Sequence, residues 1–266
     1  MAWANCGGLL IIRSLRSLLR RAGLDLRRYH PSSSHHCAWR LLLRGLKIDL
    51  IFDVGANAGQ FGEEALGAGF TGSLVSFEPL AAPHAVLAGK ASSHPRWTVH
   101  PRAAVGAAAG ELTIHVAANS VSSSALPILQ SHLDAAAGSQ TVGTEVVAVV
   151  RLDDVAPAYF GSSRAAMLKI DTQGFEWQVL DGAMKTLDVV AAVQLELSLV
   201  PLYEGQRLWR DYVDRMERLG FQLYYAYPAF TDEQTGQTLQ WDGMFVRKSL
   251  LQAGPSSSAN AMKPAQ

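Results

Sequence analysis

The chain has 266 residues, of which 17% are charged and 48% hydrophobic, and its formal net charge is zero. This length suits one α/β domain with an appendage, and the neutral balance argues against the clustered basic surface of nucleic-acid-binding proteins. The two cysteines, Cys6 and Cys37, are too few for a disulfide framework or a zinc site, so a reducing, cytoplasmic setting is expected.

Residues 1–47 differ in composition from the rest of the chain. A short apolar run, 9–12, is followed by arginines that alternate with leucines: Arg13, Arg16, Arg20, Arg21, Arg27 and Arg28. Four apolar residues fall on one helical face: Leu15, Leu18, Leu19 and Ala22. The segment is therefore predicted to be a basic amphipathic leader helix with a linker. Its apolar run is too short to span a membrane, and the charges follow the run, whereas a signal peptide carries them first.

Two interpretations of this leader helix stay open. Charge stripes are usually solvated, which favours a helix packed on the domain with its arginines in water. A basic face beside leucines also suits peripheral contact with an anionic membrane surface or with a partner.

The stretch 50–60 has the pattern of a strand, a tight loop and a helix. An apolar run, 48–52, predicts a buried strand that breaks at Asp53 into a loop of small residues, and a helix is expected from about residue 60. This order is typical of the first βα turn of a nucleotide-type α/β fold. Gly55 and Gly59 would let the backbone approach a ligand with no Cβ in the way.

The loop lacks the three glycines, G-x-G-x-x-G, on which dinucleotide enzymes place a pyrophosphate. Its pattern is Asp53-x-Gly55-x-Asn57-x-Gly59, with an acid at the strand end. A carboxylate there would repel a pyrophosphate but suits a ligand with cationic groups and hydroxyls. S-adenosylmethionine carries an ammonium, a sulfonium and ribose hydroxyls and no phosphate, so it fits this loop.

A second strand, 72–77, also ends in a carboxylate. Glu78 lies 19 residues after Gly59, close to the ~20-residue offset of the ribose-binding acid in such folds. A carboxylate can accept hydrogen bonds from both ribose hydroxyls. We therefore expect Glu78 to hold the cofactor together with Asp53, Gly55, Asn57 and Gly59, although a solvated strand end would give Glu78 the same position.

The remaining elements follow from periodicity and turn residues. Helices are predicted at 61–68, 81–91, 175–184 and 208–219. Strands are predicted at 97–100, 167–171, 189–197, 221–227 and 244–247. Val105, in a loop after the third strand, would lie near the adenine. Residues 110–151 form a predicted β-rich insertion, and the tail, 249–266, has the composition of a disordered segment.

Acids follow or end four of these strands: Asp53, Glu78, Asp171 and Glu196. In an open parallel sheet, ligands bind outside the carboxyl ends of the strands, so these acids are expected to face one crevice. Each acid alone could instead cap a helix, because Asp commonly occupies that position.

These motifs together resemble the FkbM-type family of S-adenosylmethionine-dependent methyltransferases. The resemblance runs from about residue 48 to residue 247. It is carried by the segments 52–60, 77–79, 104–106, 151–155, 168–176, 196–198 and 201–205.

The resemblance implies a Rossmann-like methyltransferase fold over residues 48–248: a mostly parallel seven-stranded sheet with helices on both faces and the β-rich insertion. It also implies methyl transfer, usually to an oxygen of a sugar, polyketide or similar secondary product. One position departs from the family. Many members have Glu where this chain has Gln173, and the missing carboxylate weakens any case for a metal, so none is expected.

Methyl transfer from a sulfonium needs positioning and removal of the acceptor proton. Asp171, at a strand end, is the candidate general base. Gln173, Glu196 and Tyr203 are the candidates for holding the acceptor, which is expected to be a small molecule, glycan or glycolipid.

Three other classes compete with this hypothesis. A nicotinamide-dependent oxidoreductase is disfavoured by the missing glycine motif. A binding protein that keeps the fold without catalysis stays open because of Gln173. A nucleic-acid methyltransferase is disfavoured by the neutral charge and by the absence of an Asn-Pro-Pro-Tyr or Pro-Cys motif.

Overall fold

The computed structural model describes residues 15–252, which belong to two compact units that divide between Leu43 and Arg44. The first unit contains a helix at 15–21 (α1) and most of a second, His35–Gly45 (α2). The composition of residues 31–36 predicts a linker, which ends earlier than expected because His35 and His36 form the first turn of α2. Among the residues that the structure describes, no helix is long and apolar enough to cross a membrane.

The second unit contains ten strands and nine helices within its described part. The strands are β1 Leu50–Val54, β2 Ser73–Phe77, β3 Trp97–Val99, β4 Ala104–Val105, β5 Gly110–Ala117, β6 Thr141–Val150, β7 Ala166–Ile170, β8 Ala192–Ser198, β9 Phe221–Thr231 and β10 Thr238–Arg247. The helices are α3 Gln60–Gly67, α4 Ala81–Ala91, α5 Gln130–Ala135, α6 Leu152–Val155, α7 Pro157–Phe160, α8 Glu176–Asp181, α9 Met184–Val189, α10 Trp209–Arg218 and α11 Lys248–Gln252.

Seven strands form the main sheet, in the order β3-β2-β1-β7-β8-β10-β9. The first five are mutually parallel, and β10 runs antiparallel to both of its neighbours. The chain moves outward from β1 to β3 and then returns to place β7 on the other side of β1. This reversal opens a crevice at the carboxyl ends of β1 and β7, where α/β folds bind ligands.

Alternation along the strands decides what each face of the sheet contacts. Leu50, Phe52 and Val54 point into the main core, which also contains Leu180 of α8 and Met216 of α10. On the opposite face, the ring of Phe61 in α3 lies over the Lys169 ammonium, so α3 covers this face. The expected Rossmann-like sheet with helices on both faces is confirmed.

The β-rich insertion is a separate sheet with the order β4-β6-β5. β5 pairs antiparallel with β6, and β4 pairs parallel with it. The predicted loop around Val105 is thus partly wrong, since Ala104 and Val105 form the short strand β4. Val105 is 3% exposed and belongs to the main core.

Several further boundaries differ from the sequence prediction; the last strand, for example, begins at Thr238 and not at residue 244. β1 continues through Asp53 because this carboxylate has partners on both neighbouring strands. The helix predicted at 175–184 is two helices, since Gly182 packs on the carbonyl of Gly106 and Asp153 accepts the first N–H groups of α9. Residues 249–252 belong to α11, and the rest of the predicted tail lies outside the described residues.

Gly182 offers a test of this packing. A Cβ at Gly182 would lie 1.9 Å from the Gly106 carbonyl oxygen, so Gly182→Ala should lower the free energy of unfolding by about 3 kcal/mol. The control is Gly89→Ala in α4, where no atom lies within 4 Å and about 0.5–1 kcal/mol of stabilisation is expected. Urea unfolding of both variants measures the difference, and equal midpoints would contradict the packing.

Candidate active site

The crevice is formed by four segments that follow parallel strands of the main sheet. They are the loop 55–59 after β1, residues 78–80 after β2, residues 171–174 after β7, and the end of β8 with the loop up to residue 206. Their sequence separation is large, and only the parallel pairing brings them to one edge of the sheet.

The loop 55–59 uses all of its backbone N–H groups inside the protein. Gly55 and Ala56 donate to the Phe77 carbonyl, and Gly59 donates to the Ala56 carbonyl. Asn57 N–H donates to Glu78, and Ala58 N–H donates to the Asn57 side chain. A pyrophosphate needs free amides at this position, so the loop is unsuited to a dinucleotide.

The two glycines of this loop are required by the protein itself. Both have positive φ, 79° at Gly55 and 87° at Gly59. A Cβ at Gly55 would lie 1.8 Å from the carbonyl oxygen of Asp171, and one at Gly59 would lie 3.0 Å from Leu87 and Trp97. The sequence predicted that a ligand would approach Gly55 closely, but the backbone of the loop after β7 occupies this space.

Glu78 connects the loops after β1 and β2. Its carboxylate accepts the N–H of Asn57 at 2.8 Å and the N–H of Leu80 at 2.9 Å, and the residue is 4% exposed. Burial raises the pKa of Glu78 to about 7, against the opposing effect of the two N–H groups. Each oxygen keeps a second lone pair, so the anion could still accept hydroxyl donors.

Asp53 lies in a polar row across one face of the sheet. Its fully buried carboxylate accepts the Ser76 hydroxyl at 3.1 Å and lies 3.2 Å from Lys169 Nζ. Lys169 Nζ also lies 3.4 Å from both Asp171 and the Gly55 carbonyl. Burial alone would lower the pKa of Lys169, but the carboxylates of Asp53 and Asp171 raise it above its ordinary value. The ammonium therefore stays charged.

Asp171 and Glu196 form an acid pair bridged by one amide. Gln173 Nε2 donates to Asp171 at 2.8 Å and to Glu196 at 2.6 Å. Gln240 Nε2 donates to Glu196 at 2.8 Å. The hydroxyl of Tyr203 lies 2.9 Å from Gln173 Oε1, which fixes the orientation of the bridging amide.

A segment of the insertion, 119–129, lies across the site. Ser120 Oγ lies 3.4 Å from the Asn57 side chain, and Ser124 donates to the Gln173 carbonyl at 2.6 Å. The buried hydroxyl of Tyr203 lies 3.0 Å from the Ser122 carbonyl. This segment therefore contacts both the loop after β1 and the acid-pair loop.

The structure brings most of the sequence-predicted residues to the crevice. Gly55, Asn57, Gly59 and Glu78 form its β1–β2 side, and the β7–β8 side contains Asp171, Gln173, Glu196 and Tyr203. Asp53 and Val105 face the protein interior, where Asp53 pairs with Lys169 and Val105 is in the core. Tyr203 is also buried, at 1% exposed, and its hydroxyl reaches the site through Gln173.

Sequence reasoning missed Lys169, Ser76 and Gln240. Lys169 had a readable signal, because a lysine within the apolar run 166–170 must find a carboxylate partner if the strand is buried. Gln240 had none, since its role depends on β10 pairing beside β8.

A parallel sheet whose strand order reverses beside β1 defines a doubly wound α/β protein, a class that binds its ligands at the carboxyl ends of the strands. The model of the Methyltransferase FkbM domain matches residues 53–223, and the chain belongs to this family, whose methyl donor is S-adenosylmethionine. No curated protein matches the sequence.

Solved methyltransferases are similar to the chain at low identity. An rRNA methylase from Streptococcus thermophilus is 10% identical with a TM-score of 0.44, over 84% of this chain and 99% of that one. Magnesium protoporphyrin IX methyltransferase from Synechocystis PCC 6803, solved with bound SAM, is 10% identical with a TM-score of 0.42, over 79% and 75%. Precorrin-6y C5,15-methyltransferase from Geobacter metallireducens is 10% identical with a TM-score of 0.40, over 78% and 87%.

Glu78→Ala tests the cofactor side of the crevice. The variant should lose S-adenosylmethionine binding in calorimetry, because the ribose acceptor and the link between two loops disappear together. Binding to the wild type should weaken as the pH falls below about 7, since protonation of Glu78 removes the charge that accepts hydroxyl donors. Glu111→Ala, at an exposed position of β5, is the control. Unchanged affinity in Glu78→Ala would contradict this role.

Proposed function

We propose that the protein is an S-adenosylmethionine-dependent O-methyltransferase (EC 2.1.1 type) whose acceptor is a hydroxyl of a sugar, glycan or secondary metabolite. The acid pair Asp171–Glu196 beside the cofactor loop is the observation that carries the proposal. Carboxylates and amides suit the recognition of hydroxyls, which both donate and accept hydrogen bonds.

The cofactor would be held from the β1–β2 side of the crevice. Gly55, Asn57 and Gly59 shape the loop, and Glu78 would accept the ribose hydroxyls. Asp53 would act indirectly, by keeping Lys169 against the Gly55 carbonyl, and Val105 would support the adenine side from the core. When bound, S-adenosylmethionine supplies an activated methyl group on a sulfonium.

On the acceptor side, Gln173, Glu196 and Tyr203 would orient the hydroxyl, and a carboxylate of the acid pair would take its proton. Asp171 is the general base that the sequence predicts. Positioning can supply up to about 7–11 kcal/mol of the barrier reduction, and a general base adds ~10²–10⁴-fold in rate. No metal is needed in this scheme.

A nucleic acid is a poor fit as the acceptor. Burial raises the pKa values of Glu196 and Asp242, and the nearby charge of Asp171 raises both further. Such a cluster would repel a phosphate backbone, and the chain has no excess of basic residues to offset this repulsion.

The test of this function is methyl transfer from labelled S-adenosylmethionine into extracts of the host, followed by identification of the product. We expect the label in an ether of a hydroxylated small molecule, glycan or glycolipid. Cofactor binding without transfer to any acceptor would favour the alternative, a methyltransferase fold that only binds. Binding of a nicotinamide cofactor would instead favour an oxidoreductase.

We also propose cytoplasmic residence with peripheral membrane contact through the N-terminal segment. Residues 1–43 contain seven arginines and one acidic residue. Leu18 and Leu24 are 65% and 59% exposed within the described part of this segment. Exposed leucines beside arginines are the composition that binds anionic bilayers.

Vesicle sedimentation tests the membrane contact. The wild type should bind vesicles of phosphatidylcholine and phosphatidylglycerol, and binding should fall roughly 30-fold in the double variant Arg21→Gln/Arg28→Gln, at about 1 kcal/mol per charge. Leu18→Glu should also weaken binding, whereas Val142→Glu, at a site 63% exposed on β6, should not. Equal binding by all four proteins would reject the contact.

A further inference from the structure

We propose that Glu196 is the catalytic residue that takes the acceptor's proton, while Asp171, Gln173 and Gln240 are positioning residues that aim it. This assignment rests on the proposed methyl transfer and replaces Asp171 as the base.

The two acids are neighbours because of the strand register. Ile170 of β7 pairs with Leu195 of β8, so the next residues, Asp171 and Glu196, lie side by side at the crevice. A single amide nitrogen, Gln173 Nε2, reaches both carboxylates, at 2.8 and 2.6 Å. The pair therefore acts as one unit held from within the loop.

Asp171 has both of its oxygens engaged. Oδ1 accepts the Gln173 amide, and Oδ2 lies 3.4 Å from the ammonium of Lys169. Both oxygens of Asp171 therefore already face groups of the protein, and one of them faces a cation. Its geometry suits the orientation of a neighbour better than proton transfer.

Glu196 has a different arrangement. In the part of the chain that the structure describes, the hydrogen bonds to its carboxylate both end on Oε2, from Gln173 and from Gln240. Oε1 is left for a further partner. Two donors on one oxygen fix the plane of the carboxylate and direct the other oxygen away from them.

The donors are themselves fixed. Gln173 has a positive φ of 54°, and its carbonyl accepts the Ser124 hydroxyl at 2.6 Å. Its Oε1 lies 2.9 Å from the Tyr203 hydroxyl, so only the amide nitrogen can face the acids. Gln240 is held in β10, where it pairs with Ser198 of β8.

The burial of Glu196 and the charges around it make its carboxylate more basic than that of an ordinary glutamate. Its pKa is raised well above the usual range of a glutamate by burial, and further by Asp171 after β7, Asp242 on β10 and Glu176 on α8. Lys169 on β7 opposes this shift, while burial and the charge of Glu196 raise the pKa of Tyr203. A raised pKa means that the ionised carboxylate holds a proton more tightly once it has accepted one.

The proton and electrons balance without another reactant. The acceptor oxygen forms a bond to the methyl carbon as the carbon–sulfur bond breaks, and that electron pair stays on sulfur. The hydroxyl proton passes to Oε1 of Glu196. The products are a methyl ether and a neutral thioether, and the proton is later released to water.

The experiment compares Glu196→Gln, Asp171→Asn and Asp242→Asn, with Glu217→Gln on an exposed face of α10 as the control. Cofactor affinity is measured by calorimetry. The kcat is measured as a function of pH with the acceptor that the labelling experiment identifies. Glu196→Gln should lose ~10²–10⁴-fold in kcat, keep its cofactor affinity, and lose the rise of rate with pH.

The aspartate variants separate positioning from proton transfer. Both should keep the rise of rate with pH, and its midpoint should move to lower pH, because each removes a negative charge that raises the pKa of Glu196. If Asp171→Asn abolishes the rise while Glu196→Gln keeps it, Asp171 is the base and the assignment is overturned.

An infrared titration gives a readout that needs no acceptor. In the wild type, the carbonyl band of protonated Glu196 should persist to a higher pH than the band of an ordinary glutamate. Its absence from the spectrum of Glu196→Gln assigns the band to this residue. A band that titrates in the ordinary range overturns the assignment. If the wild type binds the cofactor but transfers no methyl group to any acceptor, the proposed function is overturned, and this assignment with it. If Glu196→Gln transfers the methyl group as fast as the wild type, only the assignment is overturned.

Discussion

The buried ammonium of Lys169 is the interaction on which the crevice depends. It lies 3.2 Å from Asp53, 3.4 Å from Asp171 and 3.4 Å from the Gly55 carbonyl, so one charge connects the carboxyl-terminal part of β1, the residue after β7 and the first loop. Breaking one partner of a buried pair costs about 3–5 kcal/mol, because the remaining charge is left uncompensated. The position of Asp171 and the shape of the cofactor loop are therefore set together.

Around this cation, the crevice carries more acids than bases. Glu78, Glu196 and Asp242 all have raised pKa values, chiefly because burial disfavours their charged forms. A sulfonium cofactor would bring positive charge to this excess of acidic groups, whereas a pyrophosphate would bring further negative charge. In the proposed reaction, the same negative charge would favour removal of the proton from a neutral hydroxyl.

The inserted sheet contributes to the site through its loop. Ser120, Ser122 and Ser124 reach Asn57, Tyr203 and Gln173, which belong to the loops after three strands of the main sheet. Tyr203 in turn fixes the Gln173 amide between the two acids. The β7–β8 side of the crevice is thus assembled from contacts between residues 49 and 81 positions apart in the chain.

The sequence by itself determined the α/β class, the family, most helices and strands, and the crevice residues that follow parallel strands, because period-two apolar runs, glycine loops and strand-end acids are local signals. Only the tertiary structure decided that Asp53 faces Lys169, that Val105 is in the core, that Gly182 breaks a helix, and that Gln173 bridges Asp171 and Glu196. These facts depend on which strands become neighbours and in what register. Hydrogen bonds and burial between distant segments leave no periodic trace in the chain.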